Sequence, residues 1–556
     1  MACQTDTPPR PIQAWDRVWG WVVLLGVLLW VVAVRFRLRD IPLERDEGEF
    51  AYGGQLLLQG LWPVQSLYTM KLPGTHAAYA MLMGLLGQSC SGIHLGFLAV
   101  NLASIVLLFL FTRALVSTLA AGVAAATYAV LSLSPDVLGT SAHATHFVVL
   151  FVLGGLLSLW AAAQNGRGWA YLAAGFLLSS SVLMKHNGIL FLGLGSLWLA
   201  GLAVARRLSL KPAACFAAGV VAPVMLLLLV LGLTGTLDEC WFWSVTYVRT
   251  YAKLNPGAIL AWLMMLQRMP PVLQPAFYAA LLGLTVLWFR RGAKSVALFA
   301  TGWLAVSMLA VMPGWHFRPH YYIMLIPAVA LLTGALVHQT TTWLARSRRI
   351  FLAAMPAVCF AAMLAWGVLA EREFFFHMDP VAACRSLYDS QPFPEARELG
   401  GFIRAHCPPA ARIAVLGSEP EIYFYARRRA ATGFVYTYPL LEGQPFAEQM
   451  RARMREEIAA AQPQFIVKAS SWNSWLSRPA GPEKVDQLCA TLLPPNYRLI
   501  AACDFLPEES RVVWHWSPEE LTTRRPLAQG LLLFQRVTSA EASAPQPGES
   551  PSDHAP

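Results

Sequence analysis

The sequence predicts a polytopic α-helical membrane protein that carries a smaller α/β domain at its C-terminal end. Hydrophobic residues make up 56% of the 556-residue chain and charged residues only 13%, whereas about a quarter of the residues in soluble domains are charged. Apolar runs of about 17–22 residues, long enough to span a bilayer, recur through the first two thirds of the chain. After Leu369 charge and proline increase, and shorter alternating runs replace the long apolar ones.

About eleven apolar runs are candidate membrane spans, and the whole bundle is expected to contain about 11–13. They lie at 18–34, 93–111, 116–133, 146–163, 169–183, 188–205, 213–233, 274–289, 296–312, 321–337 and 351–369. The first run follows a long polar start, which indicates a retained anchor rather than a cleaved signal peptide. A shorter run at 75–86 fits either a re-entrant or interfacial helix or one extra span.

The basic residues between the runs predict how the bundle is oriented. If the N-terminus is cytoplasmic, the basic linkers at 113, 167, 206–211, 290–294 and 346–349 all lie inside. The cluster at 35–39 is the exception, and it either counts against this topology or belongs to a site on the outer side. The net charge of +10 is therefore a feature of the linkers, and nucleic-acid binding is not expected.

Composition divides the chain into three parts. They are a membrane domain at 1–369 with its first outward loop at 40–92, a periplasmic α/β domain at 370–537, and a disordered tail at 538–556. In the second part, alternating runs at 412–416, 464–467, 497–501 and 531–534 predict strands, while 394–405 and 447–461 predict helices. Cys384, Cys407, Cys489 and Cys503 could form disulfides outside the cell or remain buried thiols.

Four carboxylates cluster in the first outward loop, at Glu44, Asp46, Glu47 and Glu49. Charged groups beside membrane segments are costly to desolvate, and they usually mark a water-filled cavity or site. The adjacent Asp46 and Glu47 are therefore the candidate catalytic pair. Glu44 and Glu49 are expected to face water without a role in chemistry.

Cationic residues follow other spans at the same predicted outer end: Lys71, Lys185, Arg249, Arg318 and His320, with Lys253, His143, His146 and His316 nearby. A departing phosphate needs charge stabilisation and an attacking hydroxyl needs a base, so one carboxylate among cations suits a phosphate-bearing donor. His143 and His146 have the spacing of metal ligands on one helical face, but such a pair is more often a polar cap. No metal motif is predicted, although the adjacent acids could ligate a divalent cation.

Several short motifs resemble the bacterial members of glycosyltransferase family 39. They are Asp46-Glu47, Phe50-Ala51-Tyr52, Lys71-Leu72-Pro73-Gly74, Lys185-His186-Asn187-Gly188 and His320-Tyr321-Tyr322 with Pro327. These GT-C fold enzymes are related to protein O-mannosyltransferases and to the lipid A aminoarabinose transferase ArnT. The resemblance implies that Asp46 is the catalytic base, Glu47 its acidic neighbour and Lys71 a donor-phosphate contact. This chain has Met70 where aminoarabinose transferases carry a glutamate, so lipid A is not carried over as the acceptor.

The expected function is transfer of a hexosyl or pentosyl group from a polyprenyl-phosphate donor to a lipid, glycan or protein acceptor. The expected location is the periplasmic face of a bacterial inner membrane. Lys71, Lys185, Arg249, Arg318 and His320 are expected to bind the donor phosphate. The alternative is a lipid or sugar transporter or flippase, which predicts internal pseudo-symmetry and ionisable groups at mid-span. A non-catalytic scaffold is a third possibility, but it leaves the acidic loop unexplained.

Overall fold

The computed structural model describes residues 10–206, 210–251, 258–346, 350–475, 481–506, 511–524 and 530–537. The chain divides into two compact units, the first formed by 1–65 and 69–387 and the second by 66–68 and 388–556. The first unit thus continues past Leu369, where the composition changes. The expected disordered tail at 538–556 and the cation Lys253 lie outside the described residues.

The first unit is built from α-helices. They are α1 (Arg10–Arg37), α2 (Arg45–Leu58), α3 (Gly74–Leu86), α4 (Cys90–Leu115), α5 (Thr118–Leu131), α6 (Ala144–Asn165), α7 (Gly168–Met184), α8 (Gly188–Arg206), α9 (Leu210–Thr234), α10 (Leu237–Trp241), α11 (Val248–Tyr251), α12 (Ala258–Gln267), α13 (Gln274–Phe289), α14 (Lys294–Val311), α15 (Ile326–Ala345), α16 (Ile350–Ala370) and α17 (Pro380–Tyr388). Short 3-10 turns at Pro63–Gln65, Pro135–Val137, Pro271–Leu273 and Pro319–Met324 and π-helical turns at Phe242–Tyr247 and Glu373–His377 connect some of them.

Within the described residues, eight helices are long and apolar enough to cross a membrane. They are Val18–Arg37, Cys90–Leu115, Ala144–Asn165, Gly188–Ala205, Leu210–Thr234, Pro271–Phe289, Lys294–Val311 and Phe351–Ala370. The predicted runs at 116–133 and 169–183 form the shorter apolar helices α5 and α7, and 321–337 enters α15. The polytopic helical fold class is therefore confirmed.

The short run at 75–86 forms helix α3. It has 13 residues, which at 1.5 Å per residue is about 20 Å, whereas the hydrocarbon core is about 30 Å thick. The helix is shorter than the hydrocarbon core is thick, which favours the re-entrant or interfacial alternative.

Helices α1 and α5 cross where glycine faces glycine. A Cβ on Gly20 would lie 2.2 Å from the carbonyl oxygen of Thr118, and a Cβ on Gly122 would lie 2.9 Å from Cα of Gly20. Small residues of this kind let helix backbones approach closely inside a membrane, where van der Waals packing drives association. This contact fixes α1 against the bundle, and α2 follows α1 directly in the chain.

The arginines at 35–39 have partners inside the first unit. Arg35 is 4% exposed and donates to the carbonyl oxygen of Gly139 at 2.9 Å and to Oδ1 of Asn101 at 3.2 Å. Arg37 donates to backbone carbonyl oxygens in the segment 374–378. Arg35 and Arg37 are therefore packing and anchoring groups within the first unit.

The second unit contains a six-stranded mixed sheet with the strand order β2-β1-β3-β6-β4-β5. The strands are β1 (Arg412–Leu416), β2 (Arg429–Ala430), β3 (Phe465–Ala469), β4 (Tyr497–Leu506), β5 (Arg511–His515) and β6 (Gly530–Arg536). β1 runs parallel to β2 and β3, and the pairs β3–β6, β6–β4 and β4–β5 are antiparallel. The helices are α18 (Phe393–His406), α19 (Glu421–Ala426), α20 (Tyr438–Leu441), α21 (Ala447–Ala461), α22 (Trp472–Trp475), α23 (Gly481–Leu492) and α24 (Pro518–Thr523).

The four predicted strands and both predicted helices of this part of the chain are confirmed. In the register of the sheet, Ile413 faces Phe465 and Val467 faces Leu533, so apolar residues of the predicted runs pair across neighbouring strands. Cys384, Cys407, Cys489 and Cys503 are buried thiols. Of the two alternatives predicted for these cysteines, disulfides or buried thiols, the structure has buried thiols.

Candidate active site

A reciprocal cap fixes the start of helix α2. The side chain of Glu44 accepts the backbone N–H of Glu47 at 2.9 Å, and the side chain of Glu47 accepts the N–H of Glu44 at 3.4 Å. This capping box sets the direction of the first helical turn. Residues three apart then share a face, so Asp46 and Glu49 point one way and Glu47 another.

Asp46 and Glu49 share one ammonium group. Nζ of Lys71 lies 2.7 Å from Oδ1 of Asp46 and also contacts Oε2 of Glu49. The other Glu49 oxygen, Oε1, lies 3.5 Å from Nε2 of His76, which can approach because residue 53 is glycine: a Cβ there would lie 2.2 Å from Cδ2 of His76. The Asp46 side chain is 31% exposed and that of Glu49 is fully buried. Asp46 is therefore the carboxylate of this group that a substrate can reach.

The expectation that Glu44 and Glu49 face water is wrong, because they are 7% and 0% exposed. Glu49 is buried because Lys71 neutralises it, and Glu44 because it caps α2. Glu49 thus supplies a second carboxylate to Lys71.

The ion pairs determine which of these groups carries a proton. Burial alone would raise the pKa of Asp46, but the charge of Lys71, followed by His320 and His143, holds that pKa well below its usual value. Burial also opposes ionisation of Glu49, and Lys71 nevertheless lowers its pKa to about 2. Burial would lower the pKa of Lys71, but Asp46 and Glu49 raise it above its usual value. At neutral pH the cluster therefore contains two carboxylates and one ammonium.

Glu47 lies in the interior and holds a neighbouring loop. Its Oε1 accepts the backbone N–H of Ala142 at 2.6 Å and a hydrogen bond from Nε2 of His94 at 3.0 Å, and its side chain has no exposed surface. Burial opposes ionisation of Glu47, but His94 and the Ala142 N–H keep its pKa below the usual value. A catalytic role for Glu47 stays a prediction, and its burial favours a role in positioning.

His143 and His320 come from different connections of the bundle and stack face to face. Their ring centroids are 4.0 Å apart and their planes differ by 14°; the side chains are 2% and 7% exposed. One oxygen of Asp46 and one nitrogen of each imidazole lie within 4.8 Å of one another. Burial lowers the pKa of His143 to about 4, and burial also lowers the pKa of His320 well below its usual value. Both rings are therefore neutral at physiological pH.

The loops that carry these two imidazoles have unusual backbone conformations. Leu138 has φ = 53° in the loop before His143, and Trp315 and Phe317 have φ = 56° and 47° in the loop before His320. Positive φ is uncommon for residues other than glycine and tends to occur at functional sites. His143 precedes α6 but makes no capping hydrogen bond, so the polar-cap interpretation of this histidine does not apply.

The other residues predicted to bind the phosphate, Lys185, Arg318 and Arg249, differ in whether their charge acts on this cluster. Nζ of Lys185 lies 4.3 Å from the centre of the Tyr321 ring. Burial is the main cause that lowers the pKa values of His143 and His320, and the positive charge of Lys185 lowers them further. Arg318 is exposed, and its charge acts on His320 in the same direction. Arg249 is exposed on α11, and within the described residues no contact joins it to the cluster.

The structure therefore brings Asp46, Lys71, Lys185 and His320 to one end of the bundle and adds two residues that sequence reasoning underrated. Glu49 could have been found from its spacing to Asp46, because positions i and i+3 of a helix share a face. His143 was noted with His146, but its partner is His320, from a distant part of the chain. No sequence pattern signals that pairing.

No protein-family model and no curated protein sequence matches this chain, but solved structures do. ArnT from Cupriavidus metallidurans bound to undecaprenyl phosphate superposes with a TM-score of 0.55 at 16% identity, over 95% of this chain and 100% of that one. The apo state of ArnT from the same organism has a TM-score of 0.51 at 16% identity, over 83% and 94%. The archaeal oligosaccharyltransferase AglB from Archaeoglobus fulgidus, in complex with an inhibitory peptide and a dolichol-phosphate, has a TM-score of 0.50 at 10% identity, over 91% and 75%.

At such low identity the likeness concerns the fold. It extends over nearly the whole chain and covers the ArnT structure completely. The chain is a multi-pass membrane protein with the ArnT-like GT-C fold.

Proposed function

We propose that this protein is a glycosyltransferase that moves a sugar from a polyprenyl-phosphate-linked donor to an acceptor hydroxyl. The observation that carries the proposal is the partly exposed Asp46 carboxylate, bound to Lys71 at 2.7 Å beside His143 and His320. This cluster lies in a bundle with the fold of a protein solved with undecaprenyl phosphate. The proposal covers hexosyl and pentosyl donors and lipid, glycan or protein acceptors.

In the proposed reaction Asp46 takes the proton of the acceptor hydroxyl. The acceptor oxygen bonds to the anomeric carbon of the sugar, the bond between that carbon and the phosphate oxygen breaks, and the electron pair leaves with the phosphate. A departing phosphate needs positive charge more than it needs a proton. Lys185, with Lys71 and Arg318, is proposed to supply that charge.

The ion pair with Lys71 controls when Asp46 can act. While Lys71 is 2.7 Å away, the pKa of Asp46 is held well below its usual value, and a carboxylate of such low pKa is a weak base. A donor phosphate is another anion that attracts Lys71. As the ammonium moves toward the phosphate, the basicity of Asp46 rises, so the base becomes competent once the donor is bound.

The orientation belongs to the same proposal. The basic linkers lie on the cytoplasmic side of a bacterial inner membrane, and the Asp46 cluster and the C-terminal α/β domain face the periplasm. Single cysteines introduced at exposed positions, such as Asp238 and Arg318, test this with a thiol reagent that does not cross membranes. The cysteines should react in intact spheroplasts, and reaction only after lysis would reverse the orientation.

The experiment for the reaction uses the full-length protein in membrane vesicles with radiolabelled sugars on undecaprenyl phosphate. Asp46→Asn should reduce label transfer by about 100-fold or more, since general base catalysis contributes about 10²–10⁴-fold. The control is Asp238→Asn, an exposed aspartate on α10, which should transfer at the normal rate. Undiminished transfer by Asp46→Asn at equal protein levels would contradict the assignment of the base.

A transporter or flippase is distinguished in the same vesicles. Transport moves the labelled lipid between leaflets without breaking the sugar–phosphate bond, whereas the proposed reaction releases undecaprenyl phosphate. Movement of intact label without release would contradict the proposed function and favour transport.

A further inference from the structure

We propose that Asp46, His143 and His320 form a binding site for one divalent cation of the zinc type. The three residues come from the start of α2 and from the connections before α6 and α15. One ligand atom of each lies within 4.8 Å of the other two. Three separate chain segments thus converge with donor atoms on one point.

The imidazole nitrogens provide the second observation. Both ring nitrogens of His143 and Nδ1 of His320 are buried without a hydrogen bond among the described residues, although the two side chains are only 2% and 7% exposed. A buried polar atom without a partner costs about 1–3 kcal/mol, so such atoms in a native fold require an explanation. Coordination of a cation satisfies a neutral imidazole nitrogen directly.

The surroundings indicate which nitrogen of His143 is available. Its Nδ1 lies 3.5 Å from Oε1 of Glu44, which leaves Nε2 for the cation. Metal-bound histidines commonly hold a carboxylate or carbonyl oxygen with their other nitrogen, and this fixes the tautomer and the ring orientation. Glu44, buried beside the ring, is placed to do this for His143.

Asp46 can ligate a cation without losing Lys71. Its Oδ1 is held by the ammonium at 2.7 Å, and a carboxylate has a second oxygen that can accept independently. Lys71 also has Glu49 as a partner, so a cation that displaces it from Asp46 leaves the ammonium paired. The local charge therefore accommodates a divalent ion.

Two imidazole nitrogens and one carboxylate oxygen select the class of metal. Imidazole suits zinc and its transition-metal neighbours, whereas magnesium and calcium prefer oxygen ligands throughout. In a tetrahedral zinc site, bonds of about 2.0–2.1 Å place ligand atoms roughly 3.3 Å apart. The atoms are within 4.8 Å of one another here, so closure around the ion needs a change of at most about 1.5 Å in any of these separations.

A role for this cation in turnover rests on the proposed function, whereas its binding does not. Three protein ligands leave a coordination position open, as in catalytic zinc sites. A phosphate oxygen of the polyprenyl carrier can fill that position, and the cation would then share the leaving-group charge with Lys185. The site would join the base and the donor phosphate at one centre.

The test measures cation binding by the purified full-length protein in nanodiscs after removal of metals with a chelator. Zinc should bind at one equivalent per chain, and cobalt should give the visible absorption bands of a nitrogen- and oxygen-ligated tetrahedral site. His143→Asn and His320→Asn should each weaken zinc binding by at least the roughly 10–100-fold that loss of an outer-shell partner costs. The control His406→Asn changes an exposed histidine of α18 and should bind zinc normally.

Folding and function are followed separately. Size-exclusion profiles and melting curves recorded without metal identify any variant that has not folded. If a variant has not folded, its affinity measurement is replaced by one on the wild-type protein, whose melting temperature should rise when zinc is added. No zinc binding by wild-type protein, or full binding by the His143→Asn/His320→Asn double variant, would overturn the site. If zinc binds but the wild-type protein transfers no label and releases no undecaprenyl phosphate, the proposed function fails and the site stands; if chelation leaves transfer intact, the cation has no part in turnover.

Discussion

Asp46 and Glu47 are adjacent in the chain, yet their carboxylates have opposite surroundings. Asp46 is 31% exposed and paired with an ammonium, whereas Glu47 is fully buried and accepts the N–H of Ala142 and a hydrogen bond from His94. A helix turns about 100° per residue, so neighbours in its first turn face different partners. Adjacent acids at a helix start are therefore not automatically a catalytic pair: one can meet the substrate while the other holds the loop that carries His143.

The largest expected effect is a difference in protein stability between variants of these two acids. Glu47→Ala removes a buried acceptor and leaves the Ala142 N–H and the His94 ring without their partner, which should cost about 3–5 kcal/mol. Asp46→Asn disturbs a partly exposed ion pair and should cost about 0–1 kcal/mol. Thermal melting of the two purified variants, monitored by tryptophan fluorescence, compares them. Equal losses of stability would contradict the division between a reactive and a positioning carboxylate.

The second prediction uses pH to test whether Glu49 belongs with Asp46. The pKa of Glu49 is about 2 in the folded protein, against an ordinary value of 4.5. A lowered pKa contributes stability that is complete above about pH 4.5 and is lost as pH falls toward 2, and the difference corresponds to about 3 kcal/mol. Between pH 6 and pH 3 the wild-type melting temperature should therefore fall more steeply than that of Glu49→Gln. Parallel curves would place Glu49 outside the ion-paired group.

The contrast between local and distant contacts explains what the sequence could predict. Asp46 and Lys71 were expected in one site because they lie close together in the chain, and long apolar runs indicated helices because a bilayer demands them. His143 and His320 could not be paired in advance, because their stacking depends on how α6 and α15 are placed by tertiary packing. Arg249 and Lys185 were both expected on the outer side of the bundle, and it is the charge of Lys185 that acts on the two imidazoles.

Two of the six strands, β2 and β5, were not predicted, for the same physical reason. β2 has two residues, Arg429–Ala430, and its pairing with β1 is what makes it a strand. β5, Arg511–His515, pairs with β4 alone and lies at the edge of the sheet. Neither presents the run of buried apolar residues that marks a central strand such as β3, so the pattern in the chain was too weak to indicate them.

The third prediction breaks the pairing of Asp46 with its cation. Lys71→Met keeps most of the side-chain volume and removes the charge that lowers the pKa of Asp46. Transfer requires the ionised carboxylate, so activity rises with pH through this pKa. In the variant, the rise of activity with pH should therefore occur at higher pH. The KM for the donor should also rise about tenfold, the equivalent of about 1.4 kcal/mol. An unchanged pH profile and donor KM would remove Lys71 from the site.

The smallest expected effect compares Lys185 with Arg249. The charge of Lys185 acts on His143 and His320, so Lys185→Met should raise the donor KM by roughly three- to fivefold, less than Lys71→Met because a solvated ion pair is worth about 0.2–1 kcal/mol. Arg249 is exposed on α11, and no contact among the described residues joins it to Asp46; Arg249→Met should leave the donor KM within about twofold, inside the usual range for a surface substitution. Both are measured with the same labelled undecaprenyl-phosphate sugar in nanodiscs. A larger effect at Arg249 than at Lys185 would mean that the donor phosphate approaches from α11, and the phosphate contacts would then have to be reassigned to that side of the bundle.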